Sequence, residues 1–316
     1  MKQTAKNILK WPPFPAFLLL MAFIVLNAII TPGFLDLGFF TGFLSSNVPL
    51  VCVAIGVSVV LIGGGIDISL GAVVSLINVI FVTLIGLGWN LGAAIMLCLV
   101  ISIILGAING FIVGFLRVTP LLATFATSSI FGGLALWIMP TPGGAVPMDY
   151  VTWYNDTWLG IPISILFILV SFLLWLFLKY SPVRLWLYSI GRDENKAYVS
   201  AVPVTWIQFF IYTFAAFASG IGAIALTGSV GAGDPLIGLS FSMSSIAACV
   251  IGGITLSGGI GETTGAVFGS LFLGLVITTV LSVSVDPFYQ EFVQGLILLV
   301  GVLGATIVGR KTLNIQ

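Results

Sequence analysis

Apolar residues run through this chain in blocks of about twenty, separated by short polar or glycine-rich breaks. A helix rising about 1.5 Å per residue needs about 20 apolar residues to cross a hydrocarbon core of about 30 Å. On that measure the pattern predicts ten spans, at 14–31, 42–62, 68–87, 91–115, 119–139, 161–179, 205–227, 240–254, 264–284 and 289–308. Glycines, and no long polar loop, interrupt the stretches 42–87 and 240–284. Eight spans with two re-entrant loops is therefore the alternative to ten. Two connections are longer than turns: 140–160, with Asp149, Tyr150, Trp153, Tyr154 and Asp156, and 180–204, with Arg184, Arg192 and Lys196.

Composition changes the picture by fixing the solvent. Hydrophobic residues make up 59% of the 316, charged residues 6%, and the mean hydropathy is +1.24. A globular domain is about 25% charged, so this chain cannot cover a water-facing surface, and lipid is its main solvent. The expected fold is an all-α polytopic bundle of the inner membrane, one transmembrane domain over 1–316 with some helices broken at glycines. There is no His, which removes the commonest metal ligand and acid–base catalyst. Cys52, Cys98 and Cys249 each stand alone in apolar runs and read as small core residues. A net charge of zero suggests no polyanionic partner and no nucleic acid. Lys2, Lys6 and Lys10 precede the apolar run from Pro13 to Ile30, which is longer than a signal-peptide core and lacks a cleavage site. It reads as a retained first span.

The charges then give the spans a direction. Cytoplasmic loops collect Lys and Arg. With the N-terminus inside and ten alternating spans, all ten basic residues fall on the cytoplasmic side: Lys2, Lys6, Lys10, Arg117, Lys179, Arg184, Arg192, Lys196, Arg310 and Lys311. Asp36, Asp149, Asp156, Asp234, Asp286 and Glu291 fall outside, whereas Asp67, Asp193, Glu194 and Glu262 fall inside. The sorting predicts an even number of spans with both termini cytoplasmic.

Four segments carry candidate chemistry. In Gly63-Gly64-Gly65-Ile66-Asp67-Ile68-Ser69, three glycines weaken a helix, and Asp67 is a lone acid in an apolar run. An isolated carboxylate at that depth is a functional candidate, for coupling to substrate or ion; the plainer reading is a turn residue accepting backbone N–H bonds. Gly252-Gly253-Ile254-Thr255-Leu256-Ser257-Gly258-Gly259 leads on to Gly265; it is glycine-rich like a phosphate loop but lacks the Lys and the preceding strand. It reads as a tight bend with close helix packing. Gly304 to Thr312 nearly spells a P-loop, with one residue inserted and no helix to follow. No cofactor is expected in this chain. The fourth segment is Gly191-Arg192-Asp193-Glu194-Asn195-Lys196-Ala197-Tyr198-Val199-Ser200, where Asp193 can cap a two-turn amphipathic helix that Pro203 stops. Such a helix can dock in a partner's groove or lie on lipid headgroups. A short internal match also stands out, Ile62-Gly63-Gly64 before Gly71-Ala72-Val73 and Ile251-Gly252-Gly253 before Gly265-Ala266-Val267.

GGIDISLGA at 64–72, Asn109-Gly110, Arg117-Val118-Thr119-Pro120, the Tyr188–Pro203 loop and Ile251–Gly265 occur in this order. Together they resemble the permease subunits of ribose-type ABC importers, a family that also carries xylose, galactose, arabinose and autoinducer permeases. The resemblance covers about residues 40–308. It implies about ten helices and a second permease subunit, either a copy or a related chain. It also implies a cytoplasmic ATP-binding cassette ATPase and a periplasmic or lipid-anchored substrate-binding protein. The loop starting at Gly191 looks like the family's coupling-helix region, so Arg192 to Val202 would dock on the ATPase, and the breaks at Gly63–Ser69 and Gly252–Gly259 would serve as pathway or hinge elements of an alternating-access cycle. The expected cargo is a small neutral solute, foremost a monosaccharide. Importers for branched-chain amino acids or nucleosides share the pattern, and an ion-coupled secondary transporter is the rival of another class. The family often has Ala-Ala followed by Ser-Gly-Ile in the docking loop; here the residues are Ala197-Tyr198 and Ser200-Ala201-Val202, which implies a reshaped docking surface.

Overall fold

A computed structural model describes residues 12–282, with only isolated positions beyond. The expected span at 289–308, the basic residues at both termini, Asp286, Glu291 and the Gly304–Thr312 stretch lie outside the described residues. Among the described residues the fold is helical, with one two-residue hairpin. The helices are α1 (Phe14–Ile30), α2 (Leu37–Ile62), α3 (Leu70–Gly86), α4 (Leu91–Gly114), α5 (Pro120–Ile138) and α6 (Met148–Asn155). After the hairpin β1–β2 (Thr157–Trp158, Ile161–Pro162) come α7 (Ile165–Lys179), α8 (Val183–Arg192), α9 (Glu194–Val199), α10 (Val204–Val230), α11 (Leu239–Ile251) and α12 (Thr263–Ser282).

Nine of the expected spans coincide with α1, α2, α3, α4, α5, α7, α10, α11 and α12. Five of these, α2, α4, α5, α10 and α12, are each long and apolar enough to cross a membrane alone; α7 and α8 qualify only as a pair bent by 82°. The other three, α1, α3 and α11, have 17, 17 and 13 residues. The shortfall has a cause at α3 and α11, which border the two glycine breaks. Residues 65–69 carry no helix ahead of α3, so this part of the apolar run adds nothing to its helical length.

α2 and α10 form the buried centre, whereas α4 and α5 leave most of their surface outside the protein. α4 presents Gly106, Gly110 and Gly114, one every fourth residue, to α10; a methyl on any of them would strike the α10 backbone near Thr213, Phe209 or Thr205. This close approach supplies dispersion contact where lipid removes the hydrophobic drive between helices. Short polar pairs pin other helices together. Asn27 Nδ2 donates to Thr279 Oγ1 at 2.8 Å and Thr31 Oγ1 to Ser282 Oγ at 3.0 Å, tying α1 to α12. Ser58 Oγ donates to Thr263 Oγ1 at 2.8 Å, tying α2 to α12.

The 140–160 connection is a packed cap. α6 buries Tyr150 and Tyr154, whose hydroxyls donate to Ile224 O at 2.9 Å and Ser45 O at 2.7 Å. Gly143 pairs with Gly233, and Asn78 of α3 uses both ends of its amide to hold Thr227, Ala232 and the Asp234 N–H. The three cysteines are buried and free, as the sequence suggested.

Candidate functional site

The two glycine breaks are built by the same turn. α2 ends with N–H bonds from Gly63 to Val59 O, Gly64 to Leu61 O and Gly65 to Val60 O. α11 ends with Gly252 to Ala248 O, Gly253 to Val250 O and Ile254 to Cys249 O, the same steps of four, three and five residues. Gly64 and Gly253 take the matching left-handed φ of +81° and +86°. This is the Schellman C-cap, in which a residue without Cβ lets the chain satisfy the last helical carbonyls. The internal match seen in the sequence is therefore a match of local geometry.

A third helix end repeats the pattern with a different residue. At the end of α9, Ser200 donates to Lys196 O, Ala201 to Tyr198 O and Val202 to Ala197 O, and Ala201 carries φ +61°. A Cβ in this region costs about 1–2 kcal/mol. The sequence already set Ala201 apart, since Ser200-Ala201-Val202 stands where the resembled family often has Ser-Gly-Ile, and the left-handed turn is a backbone reason for glycine there.

The structure brings the three predicted segments to one point. Gly191, near the end of α8, lies against both breaks. A methyl on Gly191 would overlap the Ile62 carbonyl oxygen and the Gly259 amide. A methyl on Gly258 would lie 2.6 Å from Gly64 Cα and 2.7 Å from the Gly191 oxygen. The Gly259 N–H donates to Ile62 O at 2.9 Å, so the second break satisfies a carbonyl left over at the end of α2. Backbone touches backbone at this junction. Two further bonds clamp the second break to the α7–α8 elbow: Tyr188 Oη donates to Gly261 O at 2.7 Å, and Lys179 pairs with Glu262.

The first break is enclosed by polar side chains from four helices. Asp67 Oδ1 accepts from the Ser69 N–H at 2.8 Å and Ser69 Oγ at 2.6 Å. Asn109 of α4 donates to Ser69 Oγ at 2.7 Å. Thr124 of α5 bonds the Ile66 carbonyl and the Ile68 N–H, and Ser242 of α11 bonds the Ile68 carbonyl and the Gly71 N–H. Tyr212 of α10 presses its hydroxyl against Gly65. Irregular backbone inside a membrane bundle survives only when protein satisfies it, and these residues do so. Asp67 is 1% exposed, and its accepted N–H bond agrees with the plainer reading from sequence. Among the described residues, its second oxygen, Asn109 Oδ1, Tyr212 Oη and Gln208 Oε1 have no hydrogen-bond partner. Gln208 and Tyr212 also line a cavity of about 340 Å³ with Gly63, Gly64, Arg117 and Arg192. Neither residue stood out in the sequence, because a lone Gln or Tyr in an apolar run carries no pattern.

The docking segment forms the expected short helix. Asp193 caps α9 by accepting from the Lys196 N–H at 3.0 Å, and that bond holds its carboxyl below the usual carboxylate range. Ala197 is buried, whereas Tyr198 and Val199 are 69% and 85% exposed. Two of the segment's charges, Glu194 and Lys196, pair with neighbours while staying exposed. Glu194 accepts from Arg117, which also donates to Thr205 Oγ1 at 3.1 Å, and Lys196 pairs with Asp193 at 3.1 Å. Among the described residues, Arg192 makes no ion pair. α8 itself was not foreseen as a separate helix.

A bundle of apolar helices around a glycine junction defines a multi-pass membrane protein. A family model described as the permease component of the branched-chain amino acid transport system matches residues 39–302. The chain belongs to this family, and it is a permease component of an ABC transporter, a transport subunit. The ribose import permease protein RbsC of Bacillus subtilis is 31% identical over 291 residues, 91% of this chain and 90% of its own. That of Haemophilus influenzae is 27% identical, covering 94% of both chains. The autoinducer 2 import system permease protein LsrD of Photorhabdus temperata is 29% identical, covering 93% of this chain and 91% of its own. No solved structure matches. Permeases of this class work with an ATPase and a substrate-binding protein, the partners that the sequence resemblance implied.

Proposed function

We propose that this chain passes a small neutral solute, foremost a monosaccharide, through the bacterial cytoplasmic membrane by alternating access, in ten spans with both termini cytoplasmic. It pairs with a second permease subunit, and an ATPase docks on Gly191–Ser200. The observation that supports this reading is the glycine junction. ATP-driven closure of the ATPase displaces α8 and α9, and Gly191 passes that displacement directly to Ile62, Gly64, Gly258 and Gly259. Contacts between backbones leave no rotatable side chain to absorb the motion. The breaks then tilt α3 and α12 relative to α2 and α11, and the pathway changes the side to which it opens.

Arg192, Lys196 and the exposed Tyr198–Val199 pair form the contact offered to the ATPase; Glu194 is turned toward Arg117, whereas Lys196 stays 86% exposed beside Asp193. The test is uptake of labelled D-ribose and D-xylose by cells carrying the transporter, together with recovery of the ATPase with tagged permease. Arg192→Glu is expected to cut uptake at least tenfold and to lower ATPase recovery, with membrane insertion unchanged. Asp67→Asn keeps the Ser69 acceptor and is expected to retain ATP-dependent uptake. Normal uptake and ATPase recovery in Arg192→Glu would remove the docking assignment. Uptake that follows an ion gradient and disappears in Asp67→Asn would instead establish ion coupling.

A further inference from the structure

The elbow between α7 and α8 carries a feature that the transport cycle does not use. α7 buries Ser171, Trp175 and Leu178 and turns Leu169, Leu173, Phe177 and Tyr180 outward, on one face by helical spacing. Exposure along this face climbs from 48% at Leu169 to 83% at Tyr180. From Leu169 to Tyr180 the stripe rises about 16 Å, close to one leaflet of a hydrocarbon core of about 30 Å. At its lower end the chain bends by 82° into α8. In the angle lies an open cavity of about 550 Å³ lined by Lys179, Tyr180, Ser181, Arg184, Leu185 and Tyr188.

The charge in this cavity is uneven. Lys179 is compensated by Glu262. Arg184 has no ion pair among the described residues, and its guanidinium lies over the Tyr188 ring, 5.8 Å from the centroid. The guanidinium also hydrogen-bonds Tyr188, and a fork of five N–H donors leaves others for a phosphate. Leu185, 73% exposed beside it, continues the apolar surface along α8. An apolar stripe one leaflet long that ends at an uncompensated arginine has the chemistry of a phospholipid with a net negative headgroup. We propose that the α7–α8 elbow is a binding site for an anionic phospholipid, with the acyl chain along Leu169–Tyr180 and the phosphate on Arg184. Because Lys179 and Tyr188 on the same elbow hold Glu262 and Gly261, the bound lipid braces the second glycine break.

The test is native mass spectrometry of the full-length permease from micelles doped equally with phosphatidylglycerol and phosphatidylcholine. Wild type is expected to retain phosphatidylglycerol at least fivefold over phosphatidylcholine. Arg184→Gln should bring the ratio near one, Arg184→Lys should keep part of the preference, and Arg117→Gln should leave it unchanged. Equal retention of both lipids by wild type overturns the proposal, as does an unaltered ratio in Arg184→Gln. Displacement of the lipid by inorganic phosphate would mark a site for the free anion and likewise overturn it. Reduced ATPase recovery with an unaltered lipid ratio in Arg184→Gln would assign the elbow to the ATPase interface.

Discussion

The two glycine breaks leave their helices through the same turn and then part company. The first leads into a non-helical segment with Asp67 at its middle, held by side chains from α4, α5, α10 and α11. The second folds back on itself. Thr255 bonds across the loop to Ile260 O and Gly258 O, and methyls on Gly252 or Gly265 would strike each other's backbone. One break is thus anchored by its surroundings, and the other by its own backbone and the α7–α8 elbow. Equal turns show that helix termination is a local matter. What a break can do afterwards depends on whether its polar groups are satisfied by neighbours that move or by neighbours in sequence.

The largest expected effect is at the point where both breaks meet α8. Gly191→Ala places a methyl where the Ile62 oxygen and the Gly259 amide already sit, and neither is a flexible side chain. Overpacking of this kind costs about 1–3 kcal/mol. Thermal unfolding of the purified permease should fall by about 2–6 °C, at about 2 °C per kcal/mol, the low end of the scale because the chain is large. Uptake should fall below a tenth of wild type, whereas Gly132→Ala, with open space around it, should leave both unchanged. Stability and uptake like wild type in Gly191→Ala would remove the junction.

A smaller effect separates the breaks themselves. Gly64→Ala and Gly253→Ala each force a Cβ into the left-handed region, at about 1–2 kcal/mol apiece. Gly253→Ala is expected to lose more thermal stability, because its methyl would lie 2.5 Å from the Pro12 carbonyl oxygen whereas that on Gly64 stays 3.3 Å from Gly191 Cα. Uptake per folded molecule should fall severalfold more in Gly64→Ala, whose methyl meets Gly191, than in Gly253→Ala, whose methyl meets Pro12. Equal losses of uptake would mean that the second break is as tightly linked to α8 as the first.

The smallest effect has the opposite sign. Ala201 holds the position that Gly64 and Gly253 hold in their turns. Ala201→Gly should raise stability by up to about 1 kcal/mol, less the backbone entropy that glycine adds to the unfolded chain. A fall in melting temperature would show that contacts of the Ala201 methyl outweigh its backbone strain.

Nine helices were legible because long apolar runs mark them, and their ends fell within a few residues of the expected spans, although five of them, or six with the bent α7–α8 pair, are long enough to cross a membrane. The positions of the breaks were legible too, since Gly63–Gly65 and Gly252–Gly253 interrupt apolar runs. Their meeting at Gly191 was not, because a lone glycine before Arg192 has no pattern, and contact between residues 62, 191 and 259 is a matter of tertiary packing. The Arg117–Glu194 pair was hidden for the same reason, 77 residues apart in sequence. Asn109 stood in a motif, but its partner Ser69 emerged only when α4 was packed on the first break.

A joint made only of main chain has a particular consequence for how such a transporter can be altered. Gly191 and Gly258 have no side chains to enlarge, shorten or recharge, so their contact admits one working state and offers no graded variants. If the ATPase docks as proposed, adjustment falls on the rim, at Arg192, Tyr198 and Val199, which are exposed. In that proposal, choice of motor and transmission of its stroke rest on different residues. The proposed docking rim would then be open to exchange for that of another system while the joint beneath it stays the same.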